Sequence, residues 1–208
     1  MITVILVLLL LLITNVMTTS LNILAISGIF LAMIYKWNKI FQKAIFWYIF
    51  TSILAIVAVI FHDVTIAYYV TKGYISFALI WVVMMVGVLP NKSELARKIK
   101  KVRGVLSIMS FILITPHAML HIFQIYSGVN LFGIVSYALM LPLTIISFQI
   151  IRREMKPKDW ITVQKGAYII YIALFAHLLW VGLWPDKVIY AILFTLYVNN
   201  KLIKELKK

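Results

Sequence analysis

Histidine is the residue with the most chemistry to offer in this chain. There are four: His62, His117, His121 and His177. His62 stands beside Asp63 at the end of an apolar run and reads as an ordinary helix-end pair, with an outer metal or acceptor contact as the alternative. The other three lie inside apolar runs, in Thr115-Pro-His-Ala-Met-Leu-His121 and Ala173-Leu-Phe-Ala-His-Leu-Leu-Trp180. An ionisable side chain at membrane depth is costly and marks a functional candidate. A single buried imidazole is as readily a polar group bonded to a neighbouring helix. Three on two separate runs point instead to ligands.

The groups that other chemistries require are missing. Cysteine is absent, which excludes disulfides, iron–sulfur clusters and thiolate zinc sites. The six acids, Asp63, Glu94, Glu154, Asp159, Asp186 and Glu205, all fall in loops, tails or run ends. No Lys or Arg lies in mid-run either. Proton pumps and ion-coupled transporters usually carry such a group as their relay. Helices broken by Gly or Pro in matched halves, the mark of many secondary transporters, are not evident. A path for bare copper or zinc would add Met, Cys or carboxylate ligands. Met109, Met119 and Met140 do lie in nearby runs, but such residues are more often packing.

The elements that must hold these histidines are membrane helices. The chain has 208 residues, 64% of them hydrophobic, with a mean hydropathy of +1.04. Soluble domains are about 45–50% apolar, and disorder needs low hydrophobicity, so both classes are excluded. Apolar runs occupy 2–18, 20–35, 44–61, 74–89, 104–125, 131–151, 163–183 and 186–200. At about 20 residues per span these make seven or eight helices, the first two runs being two short helices or one long tilted one. No room remains for a soluble nucleotide-binding domain of about 100 residues.

The net charge is +14, yet the basic residues sit in gaps between apolar runs rather than on a nucleic-acid-binding face. Alternate gaps hold 18 of the 20 Lys and Arg; the other set holds only Lys72 and Lys187. The positive-inside rule places the rich set, including Lys201 to Lys208, in the cytoplasm. The expected architecture is an all-α, multi-pass integral membrane bundle with a cytoplasmic C-terminus. Trp160, Trp180, Trp184 and Tyr126 read as interfacial aromatics.

Depth brings the histidines together. His117 is 14 residues past Arg103 and His177 is 12 past Lys165, or about 21 and 18 Å of helix. Both helices run outward, so the two imidazoles reach similar heights in the outer half of the bilayer. Two neutral histidines on facing helices at one depth can clamp a planar haem. His121 lies one turn beyond His117 on the same face, as a substitute ligand or a group over the haem edge. Pro116 is expected to loosen the helix just before His117.

From residue 44 to 200 the chain resembles the ferric-reductase-like transmembrane domain family, which includes the MsrQ/YedZ haem proteins, membrane ferric reductases and NADPH oxidases. The resemblance rests on the His-bearing helices and on the segments that lead into them, Arg97-Lys-Ile-Lys-Lys-Val-Arg-Gly104 and Lys158-Asp-Trp-Ile-Thr-Val-Gln-Lys-Gly-Ala-Tyr168. It implies a six-helix haem-binding core with one or two extra N-terminal helices in residues 1–36, and a basic cytoplasmic tail at 201–208. It also implies haem ligands from the third and fifth core helices, here His117 and His177, with His121 if the alignment slips one turn. Two-haem members carry a second histidine deeper in each of these helices. The matching positions here are Arg103 and Gln164, so one haem b is expected.

These readings converge on a b-type cytochrome of the plasma membrane. It would carry electrons across or out of the membrane to an external acceptor, as the haem component of a reductase system. Electrons would come from a donor partner or membrane quinol, with a quinone or flavin bridging the inner half. The acceptor would be a metal ion, oxygen or an extracytoplasmic protein. The competing expectations are a metal-ion permease using the same histidines and a cofactor-free membrane subunit.

Overall fold

The structure, a computed structural model, describes residues 18–61, 64–122 and 131–206. Nearly all of the 2–18 run, His62 with Asp63, and the connection containing Tyr126 lie outside the described residues. Within them the chain is all-helical, without strands. Ten helices are described: α1 Thr19–Phe41, α2 Ala44–Ile60, α3 Thr65–Thr71, α4 Tyr74–Val88, α5 Glu94–Ile122, α6 Leu131–Ile145, α7 Gln149–Glu154, α8 Pro157–Gln164, α9 Ala167–Val181 and α10 Trp184–Leu206.

Among the described residues, three stretches are long and apolar enough to cross a membrane: α1, α5, and α8 continued into α9. A fourth results if α2 and α3, bent by 104° to one another, count as one span. The helices α4 and α6 have 15 residues each, about 22 Å of rise, short of a hydrocarbon core of about 30 Å. The run expected at 131–151 ends its helix at Ile145, and the basic stretch after it forms the short α7. The helix expected from 104 starts at Glu94 instead, because Ser93 supplies a start signal: its Oγ accepts from the Ala96 backbone N–H at 3.1 Å. That helix continues unbroken through Pro116.

Helix α4 is the centre of the bundle. It is apolar all round and buried from Ser76 to Met84, the pattern of an enclosed helix. Against α5 it makes a reciprocal pair: the Ser76 hydroxyl donates to the Ser110 carbonyl at 2.8 Å, and the Ser110 hydroxyl donates to the Ser76 carbonyl at 2.9 Å. Small hydroxylated residues let two backbones approach closely in an apolar medium. Helix α2 shows the opposite pattern, exposing Ile45, Ile49, Ile53, Ile56 and Ile60 along its length. A face of that kind suits lipid rather than water.

Helix α1 packs against α4, α5 and α10 and buries Ile23, Ile26 and Ile34. It is therefore part of the packed core rather than a lipid-facing addition. Asp186, only 2% exposed, fixes its first turn. The carboxylate Oδ1 accepts from the Ser20 backbone N–H at 2.8 Å and from the Ser20 hydroxyl at 2.6 Å. The first N–H groups of a helix lack partners within it, and a carboxylate there also meets the positive end of the helix dipole. Asp186 lies in the first turn of α10 as well, so one negative charge serves two helix N-termini.

Basic residues of three of the lysine- and arginine-rich gaps, Arg103, Arg152 with Lys165, and Lys201 with Lys204, gather at the other end of the bundle. Asn38 of α1 donates to the Lys98 carbonyl at 2.9 Å. The guanidinium groups of Arg103 and Arg152 lie 5.5 and 4.4 Å from the Trp160 ring. Lys204 donates to the Val86 and Leu89 carbonyls at the end of α4, at 3.1 and 2.8 Å. The alternation of basic gaps is thus reproduced as a segregation of charge to one pole.

Removing the Asp186 carboxylate leaves the Ser20 donors buried without an acceptor. Asp186→Ala is expected to destabilise the detergent-solubilised protein by about 1–3 kcal/mol, read as a lowered thermal midpoint. Asp186→Asn, which keeps an accepting oxygen, should lose less. Exposed Asp159→Ala serves as the neutral comparison.

Candidate functional site

The three intramembrane histidines meet at the pole opposite the basic one. His117 and His121 share one face of α5, their ring centroids 4.7 Å apart. The ring centroids of His117 and His177 are 6.3 Å apart, with the planes inclined at 77°. His177 comes from α9, so two elements far apart in sequence deliver imidazoles to one place. Both of these helices pack against α6, which positions them relative to each other.

Two short features set the rings. The Nδ1 atom of His117 is 2.9 Å from the Thr71 carbonyl at the end of α3. A carbonyl can only accept, so Nδ1 carries the proton and Nε2 keeps its lone pair for a metal. A carbonyl on the far nitrogen is the usual device for orienting a ligand histidine. The chain reaches that carbonyl by turning at Gly73, whose φ of +77° is left-handed and favours glycine. A Cβ at Gly73 would also lie 2.9 Å from Ile114 Cδ1 and 3.6 Å from His117 Cγ. On the other side, a Cβ at Gly133 of α6 would lie 2.8 Å from His177 Nδ1 and 3.0 Å from its Cε1. Gly133 is therefore the space in which the His177 ring sits.

The geometry limits the chemistry. Two imidazoles bonded to one metal from opposite sides, at metal–nitrogen bonds of about 2 Å, bring their ring centroids to roughly 6 Å. The His117–His177 pair has that spacing. Among the described residues, no group of three or more His, Cys, Asp or Glu is arranged to hold a metal ion by itself. His121, beside His117, is close enough to exchange roles with it or to contact the edge of a bound group.

Arg103 and Gln164 lie elsewhere, at the basic pole. Both line one cavity of about 710 Å³. The Gln164 amide donates weakly to Ser147 Oγ at 3.4 Å. Among the described residues, no histidine lines this cavity. The sequence reading joined these two positions, and they do share one space. It missed Thr71, Gly73 and Gly133. A glycine within a run as apolar as Leu-Phe-Gly-Ile-Val is a visible sign of close approach, but which ring approaches is not.

The cysteine-free chain allows a direct check of this convergence. The double variant His117→Cys/His177→Cys is expected to form an intramolecular cross-link with a short bis-thiol-reactive reagent, seen as a mass increment of one linker. Arg103→Cys/His177→Cys should take up two singly attached reagents instead.

No protein-family model, no curated protein and no solved structure matches this chain.

Proposed function

We propose that this chain is a membrane b-type cytochrome that holds one haem b between His117 and His177 and serves as the haem component of a reductase system in the plasma membrane. The observation that carries the reading is the 6.3 Å approach of two imidazoles from separate helices. When bound, haem supplies a reversible one-electron centre and four of the six metal ligands. The chain's own residues supply the rest. Thr71 holds the His117 tautomer, Gly133 leaves room for the His177 ring, and the surrounding apolar helices exclude water. With both histidines engaged, a bound haem would have no position free for substrate, which would suit electron transfer.

The two poles then have different roles. With the basic pole in the cytoplasm, the histidine pole lies near the outer surface, where an external acceptor is reached. Gln164 and His177 are 13 residues apart, about 20 Å along the helix. Electrons from the cytoplasm therefore need a carrier over the inner half, or they enter from membrane quinol beside the site.

Protein expressed with added haem and purified in detergent is expected to show a low-spin b-type reduced-minus-oxidised spectrum, with about one haem per chain by pyridine haemochrome. His177→Ala and His117→Ala should each lower haem content at least tenfold. His121→Ala should retain it. Gly133→Ala, which presses on the His177 ring, should lower occupancy or convert the spectrum to high spin. Two haems per chain would overturn the single-site reading, and none would overturn the cytochrome reading.

A further inference from the structure

The cavity at the basic pole has the properties of a binding site in its own right. Its volume of about 710 Å³ lies within the range of about 300–1,000 Å³ typical of small-molecule sites. Its deep wall is apolar, built from Ile80, Val83, Met84 and Met140. Its mouth carries Arg103, Lys165 and Lys201. Lys201 is paired with Glu205 at 2.5 Å. Arg103 and Lys165 have no carboxylate partner within 4 Å among the described residues. Between mouth and floor, two buried donors lack an acceptor among the described residues: the Trp160 indole N–H and the Tyr197 hydroxyl. A buried donor left unbonded is costly, and two of them in the wall of one cavity point to an acceptor held there.

We propose that this cavity binds one anionic phospholipid. Its phosphodiester would lie against Arg103 and Lys165, its ester oxygens would accept from Trp160 and Tyr197, and an acyl chain would follow the apolar floor. Charge and position support this occupant over others. The mouth is cationic and opens at the pole where the basic gaps would meet headgroups. The floor continues toward the membrane interior, where a soluble phosphate compound has nothing apolar to place. Arginine beside an aromatic ring is well suited to a phosphate, because the ring fixes the guanidinium plane and leaves its donor edge available. The site stands apart from the histidine cluster and does not depend on haem.

Native mass spectrometry of the full chain, released from nanodiscs of equal phosphatidylglycerol and phosphatidylcholine, tests the proposal. The wild type is expected to retain one phosphatidylglycerol per chain, at least fivefold in preference to phosphatidylcholine. Arg103→Gln/Lys165→Gln should reduce that retention at least fivefold. Lys39→Gln/Lys43→Gln removes the same charge from the same pole but does not line the cavity, and should leave it unchanged. Trp160→Phe keeps the ring but removes the N–H, and should weaken retention about threefold at an unchanged melting temperature. Equal retention of both lipids overturns the proposal, as does equal loss in the Lys39/Lys43 variant. Displacement of the lipid by millimolar inorganic phosphate would assign the site to a free phosphate compound and likewise overturn it.

Discussion

A polar atom carried into an apolar bundle has no water to bond, and it must find its partner on another helix. Much of this architecture follows from that demand. The Ser76–Ser110 pair locks α4 to α5 through two buried hydrogen bonds. Asp186 meets the first turn of α1 across the bundle. His117 reaches the Thr71 carbonyl. Each bond joins segments at least 34 positions apart in the chain, so polar satisfaction and tertiary packing are one event. Apolar contacts supply area, and these bonds supply register.

The same demand separates the two poles. At one, Lys204 bonds the carbonyls at the end of α4, and Arg103 and Arg152 lie against the Trp160 ring. At the other, an acid in the first turn of α10 bonds the first turn of α1, and three imidazoles converge. The long apolar middle of α4 connects them and carries no charged side chain. Charge is thus segregated to one pole, and the histidines lie at the other. Neutral imidazoles bind a metal without adding net charge to an apolar interior.

Much of this was legible in the chain because membrane segments announce themselves. Runs of apolar residues and alternating basic gaps predict helices and poles with few alternatives. Depth counting placed His117 and His177 level, and the rings do meet. Span number was less legible. Composition alone reads 74–89 and 131–151 as spans, whereas α4 and α6 are short and the second run turns before its basic tail. The role of α1 was hidden too, since Leu-Ala-Ile-Ser-Gly reads the same whether it faces lipid or protein. Asp186 was recognised as a run-end acid, but its burial depends on Ser20, 166 positions away. Thr71 acts through its backbone carbonyl, which leaves no trace in residue type.

The central proposal is that His117 and His177 would together hold one haem. Electron paramagnetic resonance of the oxidised, haem-loaded protein tests it most directly. Imidazole planes inclined at 77°, if kept on a bound haem, would leave two iron d orbitals nearly equal in energy. The account therefore predicts a highly anisotropic low-spin ferric signal, lost in His117→Ala and in His177→Ala. A high-spin signal in the wild type, or a low-spin signal that survives both substitutions, would contradict it.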